Sequence, residues 1–198
     1  MRRLILPLLA SSLIMLASGS AWAGPPSDAV KTRQTELFKL LEGEANEANK
    51  KKIAAIFDEL IDYDFIAEQA LGDELKTLKD DEKKEFKSLL KQLVTRAYEK
   101  NLRKTLSWNI EYLAEEKTGS EWIVKTRAKH KTDTRQDPIK IDFKLVDKGS
   151  GKFRMSDIIT EDVSLVSSYR AQFTKIIKKD GYAGLAKKMK DKIAKGDG

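Results

Sequence analysis

Between Asp28 and Lys104 the apolar side chains recur every three or four residues, and beyond Trp108 they recur every two. The first period belongs to helices with one buried face, the second to strands with one. Asp28–Leu41 reads as a first helix, with Leu37, Leu40 and Leu41 inward, and Asn46–Ile61 as a second, with Ile53, Ile56, Phe57, Leu60 and Ile61 at core spacing. Asp64–Leu71 is a short third helix closed by Gly72. Asp80, Asp81 and Glu82 place acid at the start of a fourth, where the helix dipole favours it. That helix runs to Lys104 along a stripe of Phe86, Leu89, Leu90, Leu93, Ala97 and Leu102.

In the second half, Trp108, Ile110 and Tyr112 alternate with polar neighbours up to a Gly119-Ser120 turn. Trp122, Val124, Thr126, Ala128 and His130 share the inward face of the next strand, and Lys125, Arg127, Lys129 and Lys131 share its outward face. Ile139, Ile141, Phe143 and Leu145 form a third inward row, ended by Gly149-Ser150-Gly151. Phe153 and Met155 alternate with Arg154 and Ser156 in a fourth strand. Glu161 and Asp162 then read as helix-start charge before a closing helix with Val166, Tyr169, Phe173, Ile176 and Ile177 inward, stopped at Gly181. The expected fold class is α+β: helices packed on one face of a four-stranded antiparallel meander whose other face is wet. Residues 24–198 make one domain without internal repeats.

The first residues read as a secretory signal. Arg2 and Arg3 precede an apolar run from Leu4 to Leu16, and Ala21-Trp22-Ala23 is a small-residue cleavage site, so residues 1–23 are expected to be removed. No Cys follows the run, so a lipoprotein cleavage box is absent. The expected location is outside the cytoplasm, away from nucleic acid. With no Cys and a single His, the chain has neither disulfides nor the residues for a Cys-based or multi-His metal site. Net charge is +7, or +5 without Arg2 and Arg3, and it is uneven: −3 over residues 24–100 and +8 over 101–198.

Catalytic motifs are scarce. There is no G-x-S-x-G, no H-E-x-x-H and no phosphate-cradling glycine loop, and His130 falls among lysines without a nearby nucleophile. A small α+β hydrolase or isomerase is the reading from another class, since fold does not fix function. The inward row of the second strand tapers to Thr126 and Ala128, which leaves a hollow unless Phe86, Tyr98 or Phe173 fills it. The outward row Lys125, Arg127 and Lys129 is either a solvated face or a docking face for membrane or partner. Tyr182–Lys195 is either a last helix packed on its own domain or a basic helix lying on an anionic membrane.

Two motifs carry a family resemblance. In the stretch from Phe153 to Phe173, Asp157, Val163, Ser164, Leu165, Val166, Tyr169, Arg170, Gln172 and Phe173 resemble the closing motif of the MlaC family, the periplasmic phospholipid-binding or toluene-tolerance proteins. YDFIAEQALG, Tyr63–Gly72, resembles that family's "D-f … a-L-G" signature, and the helix after it is similar too. Asp162 stands where the family usually has glycine, Ser156 where it has tyrosine and Phe153 where it has tryptophan. The resemblance makes the location the periplasm and implies a monomeric, non-enzymatic carrier that holds a phospholipid as cargo, with no cofactor, between sheet and helices. The implied cavity wall is Phe86, Leu90, Leu93, Tyr98, Trp108, Ile110, Tyr112, Val124, Thr126, Ala128, Ile141, Phe143, Met155, Val166, Tyr169 and Phe173. Arg170 would meet a head group or a docking partner, or else pair with Asp157 or Asp162. The implied partners are an inner-membrane ABC transporter with a hexameric lipid-binding ring and an outer-membrane lipoprotein complex. The implied role is shuttling lipid between the membranes to maintain outer-membrane asymmetry, with a hopanoid as the alternative cargo.

Overall fold

A computed structural model describes residues 24–44 and 46–196; the segment read as a signal peptide, residues 1–23, lies outside them. Helices α1 (Pro25–Glu42), α2 (Glu47–Leu60), α3 (Tyr63–Leu71), α4 (Asp73–Thr77) and α5 (Asp80–Thr105) precede the sheet, and α6 (Leu165–Ala194) follows it. Strands β1 (Trp108–Thr118), β2 (Glu121–His130), β3 (Ile139–Asp147), β4 (Phe153–Thr160) and β5 (Val163–Ser164) pair antiparallel in chain order. This is the expected α+β meander with one more strand. Two residues of β5 are too few to show an alternation, and α4 is a single turn without a stripe of its own.

Local chemistry sets the helix boundaries. Proline's fixed φ suits a first helical turn, so α1 begins at Pro25, three residues before Asp28. Asn46, Asp62 and Ser164 each lend a side-chain oxygen to a backbone N–H of the first turn of α2, α3 and α6. The Ser164 cap corrects one expectation. Glu161 and Asp162 do not start the last helix; they form the β4–β5 turn at φ 47° and 64°. Glu161 accepts a hydrogen bond from the Lys140 backbone N–H at 2.6 Å, and Asp162 pairs with the Lys140 Nζ at 2.6 Å. Left-handed backbone is where glycine is at ease, and Asp is among the few residues that tolerate it.

Two bulges reset which side chains face the helices. In β1 the register shifts between Tyr112 and Ala114, leaving Leu113 unpaired and 41% exposed. Trp108, Ile110 and Tyr112 lie opposite His130, Ala128 and Thr126, but beyond the bulge it is Glu115 that lies opposite the buried Val124. An inserted residue inverts the alternation. Glu115 thereby reaches the start of α1, where its carboxylate accepts from the backbone N–H groups of Gly24 at 2.7 Å and Ser27 at 2.8 Å. In β4 the register shifts beside Lys144, so Ser156 is the extra residue and bonds Glu121 at 2.9 Å.

The helical core lies where α3, α5 and α6 meet. Phe86 meets Phe173 edge-on at 5.9 Å, and Tyr169 stacks on Phe173 at 5.3 Å. Leu90, Leu93 and Val94 are fully buried around them. Gly181, at φ 66°, interrupts α6, and the second half folds back: Tyr182 bonds the Glu82 carbonyl and the Glu85 carboxylate, Lys190 pairs with Glu85, and Arg96 of α5 donates to the Ile193 carbonyl. The tail is a last helix packed on its own domain.

Candidate functional site

A narrow apolar crevice opens between the helices and the β3–β4 half of the sheet. Val30 and Leu37 of α1, Phe57 and Leu60 of α2, and Tyr98 of α5 face Ile141, Phe143 and Met155, and all of these are buried. Gln34, Asn101, Thr105 and Thr160 also line it and are half-buried or exposed. The lining is therefore wholly apolar at depth but for the Tyr98 hydroxyl, and at the rim uncharged polar groups sit beside the half-buried Leu102 and Ile158. Its free volume is about 50 Å³, well below the roughly 300–1,000 Å³ of ordinary small-molecule pockets.

The crevice is held shut by few polar ties. The Tyr112 hydroxyl donates to Gln34 Oε1 at 2.8 Å, linking β1 to α1, and Glu115 holds the α1 terminus. Met155 accepts the Asp62 backbone N–H at 2.9 Å, tying the α2–α3 junction to β4. Within the wall, Phe57 meets Tyr98 edge-on at 6.3 Å. The Tyr98 hydroxyl is buried with no hydrogen-bond partner among the described residues, and burial raises its pKa well above the ordinary phenol value. Such a donor is costly to leave unmatched.

Of the residues read from the sequence as cavity wall, Tyr98, Ile141, Phe143 and Met155 line this crevice. Val124, Thr126 and Ala128 are buried on the same face of the sheet, where Thr126 donates its hydroxyl to the Ile141 carbonyl at 2.5 Å. Trp108, Ile110 and Tyr112 are half-buried on β1. Phe86, Leu90, Leu93, Val166, Tyr169 and Phe173 are buried elements of the core that lie outside the crevice lining. Sequence reasoning missed Val30, Gln34, Leu37, Phe57, Leu60, Asn101, Leu102, Thr105, Ile158 and Thr160. Periodicity had turned Leu37, Phe57, Leu60 and Leu102 inward, but no local signal says that α1 and α2 rather than α6 roof the sheet here.

Charged candidates are placed differently from one another. On the outer strand face, Lys125 pairs with Glu116 at 2.5 Å and Lys129 with Glu111 at 2.8 Å, while Arg127 is exposed and has no ion pair among the described residues. Arg170 pairs with neither Asp157 nor Asp162. Asp162 holds Lys140, and Asp157 accepts from the Ser164 hydroxyl and the Val166 N–H. Burial raises the Asp157 pKa, and those two hydrogen bonds oppose the rise. Arg170 instead lies against Gly72, where an added Cβ would sit 3.2 Å from its Nη2. The ends of the two motifs thus meet in space. His130 is accounted for locally: its Nδ1 accepts from the Asp133 N–H at 2.9 Å and its ring meets Trp108 edge-on. Among the described residues no group of three His, Cys, Asp or Glu could hold a metal ion.

Fold and crevice together define an α+β protein whose antiparallel meander is roofed by helices over a narrow apolar seam. The MlaC family model, described as "MlaC protein", matches residues 31–191, and the chain belongs to the MlaC family. Its fold is similar to that of a phospholipid-binding protein from Ralstonia solanacearum solved in complex with a phospholipid. The TM-score is 0.69 at 18% sequence identity, over 85% of this chain and 97% of that one. No curated protein matches the chain.

Proposed function

We propose that this protein is a periplasmic carrier that takes up a phospholipid between its helices and its sheet and moves it across the envelope. One observation carries the reading: the crevice is apolar at depth and carries four uncharged polar side chains, Gln34, Asn101, Thr105 and Thr160, beside Leu102 and Ile158 at its edge, a gradient that suits an amphiphile. Membership of the MlaC family and the phospholipid held by the Ralstonia protein of the same fold support it. The lining brings together no carboxylate, imidazole or ammonium group, which favours binding over catalysis.

The energetics favour carriage by exchange. An acyl methylene removed from water is worth about 0.8 kcal/mol, so two chains of roughly 15 carbons correspond to on the order of 20 kcal/mol. A lipid that moves from bilayer to crevice leaves one apolar medium for another, and its net transfer free energy falls near zero. Water is the barrier, so hand-over occurs in docked complexes: an inner-membrane ABC transporter bearing a hexameric lipid-binding ring on one side and an outer-membrane lipoprotein complex on the other, in the service of outer-membrane asymmetry. Loading requires α1 and α2 to move away from β3 and β4, because the crevice at 50 Å³ admits no acyl chain. The buried Tyr98 hydroxyl then gains an acceptor in an ester oxygen of the cargo.

Mass spectrometry of lipid extracted from natively purified, monomeric protein tests this. Two-chain phospholipid at near-stoichiometric amounts is the expected result. A polycyclic triterpenoid would reassign the cargo, and lipid-free protein that takes up none from vesicles would overturn the carrier reading.

A further inference from the structure

Nearly all the net charge of this protein stands on one helix. Residues 24–164 carry 27 basic and 28 acidic side chains, a net of −1, whereas residues 165–196 carry nine basic and two acidic ones, a net of +7. The outer sheet face is different in kind, since its lysines are matched across strands by Glu111 and Glu116. On α6 three lysines are matched, Lys187 by Asp191, Lys188 by Asp180 and Lys190 by Glu85. Lys175, Lys178 and Lys179 are exposed and form no side-chain hydrogen bond or ion pair among the described residues, whereas Arg170 lies against Gly72, within electrostatic reach of Asp73. These three lysines fall on the side of the first half of α6 turned away from Tyr169 and Phe173, which are buried. A like-charged row of this kind is an electrostatic cost to the folded protein and acts as a surface for anions.

We propose that this face of α6 docks the protein on an anionic membrane surface. The residue types select a bilayer over an acidic protein. Protein interfaces concentrate arginine and aromatic anchors and are depleted in lysine. Here the row is all lysine, and the exposed large hydrophobic residues among the described ones, Leu113 and Val163, both lie off α6. Compact, hydrated ammonium groups on flexible stems suit a diffuse layer of lipid phosphates, which asks for charge rather than fixed geometry. Contact is therefore peripheral, without insertion, and released by salt. It would bring a carrier to bilayer lipid independently of which molecule the crevice holds.

Co-sedimentation of the purified protein with vesicles tests this. Binding is expected to vesicles containing phosphatidylglycerol at about 0.01 M salt, and to be lost on pure phosphatidylcholine vesicles and at about 1 M salt, where the screening length shrinks from roughly 30 to 3 Å. Each basic residue near an anionic surface is worth about 1 kcal/mol, so K175Q/K178Q/K179Q together should lower the partition coefficient on the order of 100-fold. These positions are exposed, and an unchanged circular dichroism spectrum confirms the fold. Lys125→Gln with Arg127→Gln and Lys129→Gln should leave the partition unchanged. Equal binding to both vesicle types, equal loss from the two triple variants, or no vesicle binding at low salt would each overturn the proposal, and the last would turn α6 over to an acidic protein partner.

Discussion

Phe57→Ala probes the crevice most directly. The ring is fully buried, forms part of the crevice wall and meets Tyr98 edge-on at 6.3 Å and 71°. Truncating a phenylalanine in a close-packed interior costs about 3–5 kcal/mol, from lost transfer free energy and from the space left behind. For a domain of this length each kcal/mol lowers Tm by roughly 2–4 °C, so Phe57→Ala should melt about 6–20 °C below wild type. The lost ring also widens the crevice between α2, α5 and β4. A lipid chain that fills the gap should return stability by mass action, about 2.7 kcal/mol at a hundred times its Kd. Urea titrations of delipidated protein, with and without a monomeric short-chain phospholipid, measure both effects. A loss below about 1 kcal/mol would refute the packing of this seam. A full loss with no recovery on adding lipid would remove the crevice as the cargo site.

Tyr98→Phe deletes a buried hydroxyl without a partner, so the lipid-free protein should be unchanged or up to about 1–3 kcal/mol more stable; a lipid off-rate assay should show faster release from the same variant. Glu115→Ala strips the acceptor from the Gly24 and Ser27 N–H groups and should cost about 0.5–2 kcal/mol in chemical denaturation, with faster hydrogen exchange at the start of α1. Asp157 has a folded-state pKa raised by burial, so the folded protein binds its proton more tightly than the unfolded chain. Its contribution is fully present below the unfolded value of 3.8 and is lost as pH rises through the raised folded value. Wild type should therefore gain stability relative to Asp157→Asn as pH falls towards 3.8, and the opposite slope in paired denaturation curves would contradict the burial argument. Gly72→Ala forces a Cβ into backbone at φ 59° and to within 3.2 Å of Arg170, which should cost about 1–3 kcal/mol in the same titrations.

The chain's own periodicity determined the order and type of its main elements. A period near 3.6 up to Lys104 and a period of two beyond Trp108 are local facts, and helices and strands are local structures. The sequence motifs at Tyr63–Gly72 and Phe153–Phe173 were enough to indicate the family, because they record a shared ancestry and do not depend on how the elements pack. The caps at Asn46 and Ser164 follow from single side chains bonding their near neighbours. What the tertiary structure decided are the facts that depend on separation through space. Leu113 as an unpaired bulge residue inverts the faces of β1 and sends Glu115 to the end of a helix 88 residues away in sequence. The pairing of Lys125 and Lys129 with β1 carboxylates offsets a basic row that stands out in the linear sequence, and the lack of such neighbours among the described residues leaves Lys175, Lys178 and Lys179 of α6 unmatched. Which helices roof β3 and β4 also belongs to this group: an amphipathic stripe states that a helix has an inner side, but any apolar surface satisfies it, and only the joint packing of all six helices assigns α1 and α2 to the crevice.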